Sequence, residues 1–282
     1  MRINYYWFIL SYMIYLDYPS ISPIIFSIGP FEIRWYSMAY IIGFLFAWQY
    51  IKFLSNKKEL YGFKTNLDSR SVDDLIFYSI IGLIIGARLA YVIFYNGTYY
   101  LNNPIHALYV WEGGLSFHGG LVGIIIAIFY IKLKYKIKFY IISDLICSSA
   151  PVGIFFGRIA NFINGELYGR PSSSFFGMIF PNTDGKIRHP SHLYEAFFEG
   201  ILIFLILNFL IFGFKKLSNP GLISSIFLIL YGTFRFLIEF TREPDAQLGF
   251  IFNFLTMGMI LSGPMIIAGF IILFISKKNN VD

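Results

Sequence analysis

Apolar and polar positions divide the chain into long apolar runs separated by short polar breaks. Seven runs are long enough to cross a bilayer, near residues 35–54, 73–95, 114–133, 141–162, 193–214, 221–240 and 250–275. A crossing helix needs about 20 mostly apolar residues and satisfies its own backbone hydrogen bonds. The expected fold class is therefore an all-α polytopic membrane protein of about seven transmembrane helices. Pro220-Gly221 separates the fifth run from the sixth. The Gly-, Pro- and Ser-rich loop 163–192 is the only long connection, and it is expected to form a small extracytoplasmic head. The opening MRINYYWFILSYMIYL is short for a span, and no small-residue cleavage site follows it. Residues 1–20 thus read as an interfacial extension, ahead of a single seven-span domain over 21–282.

Composition strengthens this reading. The chain is 57% hydrophobic and 13% charged, where a soluble domain carries about 25% charged residues. The net charge of +6 comes from basic residues scattered between apolar runs, so no nucleic-acid partner is expected. Cys147 is the only cysteine, which excludes an intramolecular disulfide and a paired-thiol metal site.

The basic residues also set a direction. Lys52, Lys57, Lys58, Lys64 and Arg70 follow the first run, and Lys132, Lys134, Lys136 and Lys138 the third. Lys215 and Lys216 follow the fifth, and Lys277 and Lys278 the seventh. The opposite side holds Arg2, Arg34, Arg170, Lys186, Arg188 and Arg242. By the positive-inside rule the N-terminus lies outside and the C-terminus is cytoplasmic.

Arg88, Arg158 and Arg235 belong to neither side, because each falls within a span. An arginine at mid-bilayer costs about 2.5–3.5 kcal/mol even on the lenient insertion scale. Snorkelling would explain any one of them, but all three fall in the outer part of outward-running spans. Tyr36, His118, Asn161, Asn164, Glu166, His189, His192, Glu195, Glu239, Arg242 and Glu243 map to the same depth. Together they suggest a polar chamber in the outer leaflet. Arg158 and Asn161 share a helix face, and Tyr231, Arg235 and Glu239 form one stripe.

The plainer alternatives are an intrahelical Arg235–Glu239 pair, an Arg88–Glu112 pair, and asparagines that only bridge neighbouring helices. Gly82/Gly86, Gly119/Gly123 and Gly153/Gly157 are spaced for close helix packing. Gly113-Gly114 and Gly119-Gly120 bracket His118 and form either a loop whose backbone donors approach a ligand or a flexible re-entrant turn. His189, His192 and Glu195 have an i, i+3, i+6 spacing, but no further His or Cys lies nearby. No metal and no cofactor are expected.

Several arginines suit a phosphate ester, whose oxygens match the guanidinium fork. A chamber at headgroup depth would meet phospholipid. A histidine can accept a proton near neutral pH, and no G-x-S-x-G elbow supplies a nucleophile. The nucleophile is then expected to arrive with a second substrate, making the reaction a group transfer from phospholipid. A transporter would need a polar path through the inner halves, which are largely Ile, Leu and Phe. A scaffold would leave the arginines unexplained, and an intramembrane protease would need a Ser–Lys or paired-Asp arrangement.

GRIANFINGELYG (157–169) closely resembles the signature of bacterial prolipoprotein diacylglyceryl transferases, G-R-x-G/A-N-F-x-N-x-E-x-x-G, at every fixed position. SIGPFEIRWYSMAYIIGF, GARLAYVIFYN, GGLSFHGGL, HPSHLYE and YGTFRFLIEFTREPD extend the resemblance over roughly 20–275. It implies a seven-span bundle with an external head in the bacterial inner membrane, its active site toward the outer leaflet. It also implies transfer of the sn-1,2-diacylglyceryl group of phosphatidylglycerol to the lipobox cysteine thiol of a prolipoprotein signal peptide, releasing glycerol phosphate. A monomer is expected.

The same resemblance gives catalytic weight to His118, Arg158, Arg235, Tyr36, Tyr231 and Glu239. It gives lipid-binding weight to Arg158, Asn161, Arg235, Glu166, Gly169 and Arg242. Whether Glu166 contacts substrate or braces a turn stays open, as does whether His118 abstracts a proton or positions. Two departures stand out. His192 replaces a common glutamine and can make one of its two amide bonds, and alanines flank Arg88 where glycine is frequent.

Overall fold

In the computed structural model the described residues are 15–29, 31–181, 183–244, 249–251 and 254–278. Most of the expected interfacial extension, residues 1–14, lies outside them.

All seven apolar runs form helices: α1 (Trp35–Asn56), α2 (Ser69–Phe94), α3 (Phe117–Tyr135), α4 (Phe139–Asn164), α5 (Ser191–Gly213), α6 (Leu222–Ile238) and α7 (Met257–Lys278). Six are long and apolar enough to span. The 17-residue α6 reaches only about 25 Å at 1.5 Å per residue. The chain is thus an all-α polytopic membrane protein, and among the described residues its sheets are two short pairs. These are the hairpin β1 (Ile24–Ile28)–β2 (Phe31–Arg34) and the pair β3 (Met178–Ile179)–β4 (Ile187–Arg188).

Local chemistry sets the helix limits. Asp68 and Ser71 form a reciprocal capping box at α2, with Ser71 N donating to Asp68 Oδ1 at 2.8 Å. The seventh run was expected from 250, yet α7 begins at Met257. Thr256 Oγ1 accepts the Met259 amide at 3.2 Å as the N-cap, and Ile251 and Leu255 pair in a turn just before it. Pro190 precedes α5 as its N-cap. α5 widens into π-turns at Ala196–Leu202 and Phe209–Gly213.

The chain divides into two compact units. One gathers the described residues up to Gly43 with Ala150–Asn208 and Ser225–Phe274; the other holds Phe44–Ser149, Phe209–Ser224 and the described residues from Ile275.

In the second unit α2 and α3 meet backbone to backbone. A Cβ added to Gly82 or Gly86 would run into the carbonyls of Gly123 and Gly119. Arg88 of α2 donates to four backbone carbonyls, including Ala107 O at 3.0 Å and Gly114 O at 3.1 Å, with His106 O and Gly113 O completing the set. The Arg88–Glu112 alternative therefore gives way, and Glu112 Oε2 lies 3.4 Å from His106 Nδ1. Gly113-Gly114 is accordingly a turn at positive φ that offers acceptors rather than donors. In the same unit Asp144 accepts the amides of Gly221 and Ser224, each at 2.7 Å, so an α4 carboxylate caps α6 from outside that helix.

The first unit has its head core at Phe162, Met178 and Phe180, against which Tyr18, Tyr168 and Leu193 pack. Tyr18 Oη lies 2.6 Å from Phe162 O, the last turn of α4.

Candidate functional site

α4, α5, α6 and the turn that follows α6 supply the central cluster, all of it within the first unit. Glu195 ends the opening turn of α5 and is 1% exposed. Its Oε2 lies 3.0 Å from Arg158 Nε, and its Oε1 lies 3.1 Å from Arg242 Nη1 and also takes Arg235 Nη1. One carboxylate thus collects three guanidiniums. Glu239, one turn beyond Arg235, ion-pairs with Arg235 and lies 3.7 Å from Arg242 Nε. Thr256 Oγ1 donates to its Oε2 at 2.6 Å. Glu199, a turn beyond Glu195, places Oε2 3.6 Å from Arg158 Nη2. The Tyr231 phenol adjoins Arg158.

Three arginines are thereby matched by three carboxylates, which is what removal from water demands of buried charge. A cleft lined by Arg235, Glu239, Arg242, Gly249, Thr256 and Gly258 opens beside the Arg235–Glu239 pair.

The signature loop orients the rim. Glu166 Oε1 accepts from Asn161 Nδ2 at 2.8 Å and from Asn164 Nδ2 at 3.2 Å, so it braces the end of α4. Gly169 is wedged where a Cβ would sit 2.5 Å from Thr241 O and 2.6 Å from His189 Cβ, leaving no room for a side chain. Next to it, Arg170 Nε donates to Arg242 O at 2.8 Å and Nη2 to Glu239 O at 3.2 Å. The head loop thus holds the end of α6 in place. Arg188 supports the same strip through Asp184 at 3.1 Å, Glu243 at 2.9 Å and Gly169 O at 3.1 Å. Its neighbours Arg188 and Lys186 hold the Asp184 carboxyl below the usual carboxylate range.

Of the residues singled out in the sequence, Arg158, Arg235, Glu239, Arg242 and Tyr231 come together, with Asn161 one turn along α4. Tyr36 stacks edge-on against Tyr40 at 5.4 Å, and Tyr40 lies within the field of Arg158. His118, exposed in the first turn of α3, belongs to the second unit, as does Arg88. His192 is fully buried; its Nε2 bonds Glu166 O and its Nδ1 has no hydrogen-bond partner among the described residues. One of the two amide-like bonds is made, as expected. No cluster of three metal-ligating side chains occurs among the described residues.

Sequence reasoning named Glu195 without its role and missed Glu199 and Tyr40. The available signal was spacing, since Glu195–Glu199 and Tyr36–Tyr40 are both i, i+4 pairs.

Fold and site together define a polytopic helical membrane protein built around a buried arginine–carboxylate cluster. Residues 23–275 match the family described as prolipoprotein diacylglyceryl transferase. A Rickettsia felis protein named phosphatidylglycerol–prolipoprotein diacylglyceryl transferase is 52% identical over 254 residues, covering 90% of this chain and 96% of its own length. Proteins of the same name from Rickettsia typhi, at 52% over 89% and 95%, and Rickettsia bellii, at 48% over 90% and 95%, are similar too. The chain belongs to the prolipoprotein diacylglyceryl transferase family and is a transferase of lipoprotein maturation.

Proposed function

We propose that the protein transfers the diacylglyceryl group of phosphatidylglycerol to the lipobox cysteine of a prolipoprotein, at the outer leaflet of the bacterial inner membrane. The observation that carries this reading is the convergence of Arg158, Arg235 and Arg242 on Glu195. Three guanidiniums held in place beforehand suit a phosphate diester, and they stabilise charge that grows on the phosphate as it leaves. In this reading the peptide thiolate attacks the glyceryl carbon that bears the phosphate. A C–S bond forms, the C–O bond to phosphate breaks, and glycerol phosphate departs with the bonding pair.

A free thiol with pKa of about 8.5 needs help to ionise. His118 is the group proposed to receive its proton. Arg158 and Arg235 hold the phosphate, with Asn161 and Arg242 at its edges, while Glu239 orients Arg235 and the tyrosines Tyr36 and Tyr231 line the approach. Glu166 and Gly169 shape the rim. The outer-leaflet assignment rests on the basic residues after the first, third, fifth and seventh runs.

The test is direct. The purified protein in phosphatidylglycerol-containing nanodiscs is given a lipobox peptide, and glycerol phosphate release is followed. Release that depends on the peptide cysteine is expected, and Arg158→Lys should lower it by about 100-fold or more, because the fork and its preorganised donors are lost. No release from wild-type protein overturns the proposal.

A further inference from the structure

Glu199 is the carboxylate of the cluster that makes no hydrogen bond among the described residues. It is 0% exposed, and neither carboxylate oxygen has a hydrogen-bond partner. Its closest ion contact is Arg158 Nη2 at 3.6 Å, a looser contact than the 3.0 Å between Arg158 Nε and Glu195. The backbone that carries it is held against α4. It lies in the π-turn Ala196–Leu202, a form of helix common at functional positions. The next residue, Gly200, packs so closely on α4 that an added Cβ would sit 2.7 Å from Phe155 Cβ and 3.0 Å from its Cα.

The proposed reaction changes the charge that the arginines hold. The phosphate diester that enters carries one negative charge, and the monoester that leaves carries close to two at neutral pH. Arginines arranged only to grip would therefore bind the product more tightly than the substrate. Glu195 and Glu239 cannot relieve this without releasing the guanidiniums they hold. In its ionised form Glu199 repels an anion on Arg158 while giving up no hydrogen bond of its own.

We propose that Glu199 is a positioning residue that weakens the hold of the cluster on the leaving phosphate monoester, acting through Arg158. The inference rests on the phosphate reading given above.

Wild-type protein, Glu199→Gln and Glu199→Asp are assayed in phosphatidylglycerol-containing nanodiscs with lipobox peptide. The readouts are kcat, KM for the lipid and the inhibition constant of added glycerol phosphate, with glycerol as the uncharged control. Glu199→Gln should lower the inhibition constant by about tenfold, equivalent to about 1.4 kcal/mol, and lower kcat with little rise in KM. Glu199→Asp keeps the charge but draws it back from Arg158, and should shift the constant in the same direction by less. A purely structural role would lower kcat and thermal stability without tightening the inhibitor. An inhibition constant in both variants equal to or above that of wild type overturns the inference. If glycerol phosphate does not inhibit even the wild-type protein, the phosphate reading fails and takes this inference with it.

Discussion

Glu195 Oε2 and Arg158 Nε meet at 3.0 Å, joining the first turn of α5 to α4. The same carboxylate also receives Arg235 and Arg242, so its charge is the common anchor of three cations. Glu195→Gln should abolish turnover and destabilise the protein by about 3–5 kcal/mol, the usual result of leaving buried charge uncompensated. Thermal unfolding in detergent alongside the transfer assay checks both; a variant with wild-type stability would mean the cluster does not depend on this anchor.

Asp144 predicts a purely structural effect. It accepts the Gly221 and Ser224 amides, and its replacement by alanine leaves two buried N–H groups without an acceptor. Asp144→Ala should cost about 1–3 kcal/mol, read as a lowered Tm. Asp144→Asn retains one acceptor oxygen and should lose less.

The contact between α2 and α3 has no slack. Gly123→Ala would force a methyl against the Gly82 carbonyl, so a loss of about 1–3 kcal/mol is expected from overpacking. Gly113→Ala provides a contrast. A Cβ at Gly113 meets nothing within 4 Å, but its φ of +85° strains any side chain, so the loss there should come from the backbone, about 1–2 kcal/mol.

His192 offers a gain. Glutamine can donate to Glu166 O as Nε2 does now, and its second polar atom need not occupy the place of the unpartnered Nδ1. His192→Gln should leave stability unchanged or raise it by up to about 1 kcal/mol, whereas His192→Leu should lose about 1–3 kcal/mol by orphaning the carbonyl. Paired unfolding curves decide between these outcomes.

The head should respond to acid through Asp184. Its pKa in the folded state is depressed by Arg188 and Lys186. Its contribution is therefore complete above the unfolded value near 3.8 and is lost as pH falls through the lower folded value. Amide exchange over 169–189 should quicken on acidification below that point, and Asp184→Asn should flatten this part of the response.

Much of the architecture was legible because burial in lipid leaves a coarse signature. Seven apolar runs became seven helices, and the i, i+4 stripe of Arg235 and Glu239 became an ion pair. The errors have local causes. FIFNFL at 250–255 looks helical by hydropathy, but Thr256 caps the helix after it. Arg88 was read as part of the polar chamber, with a Glu112 pair as the plainer alternative, but its partners are backbone carbonyls, which a list of side chains cannot reveal. Glu199 was concealed in AFFEGIL, where a single acid among apolar residues gains meaning only once Arg158 arrives from α4. The role of Asp144 likewise depends on Gly221, far along the chain. Spacing within one helix can be read from sequence, whereas convergence of separate helices has to be observed.

The glycine contact between α2 and α3 has a mechanical consequence. Where backbone touches backbone there are no rotamers to hop and no voids to swell on warming. The two helices therefore behave as one stiff beam, and the segment from Gly97 to Ser116 joins them at one end. Arg88 reaches from that beam into the carbonyls of its own loop, fastening it much as a rivet fastens a strap. Whatever force is applied to that loop is delivered to two helices at once.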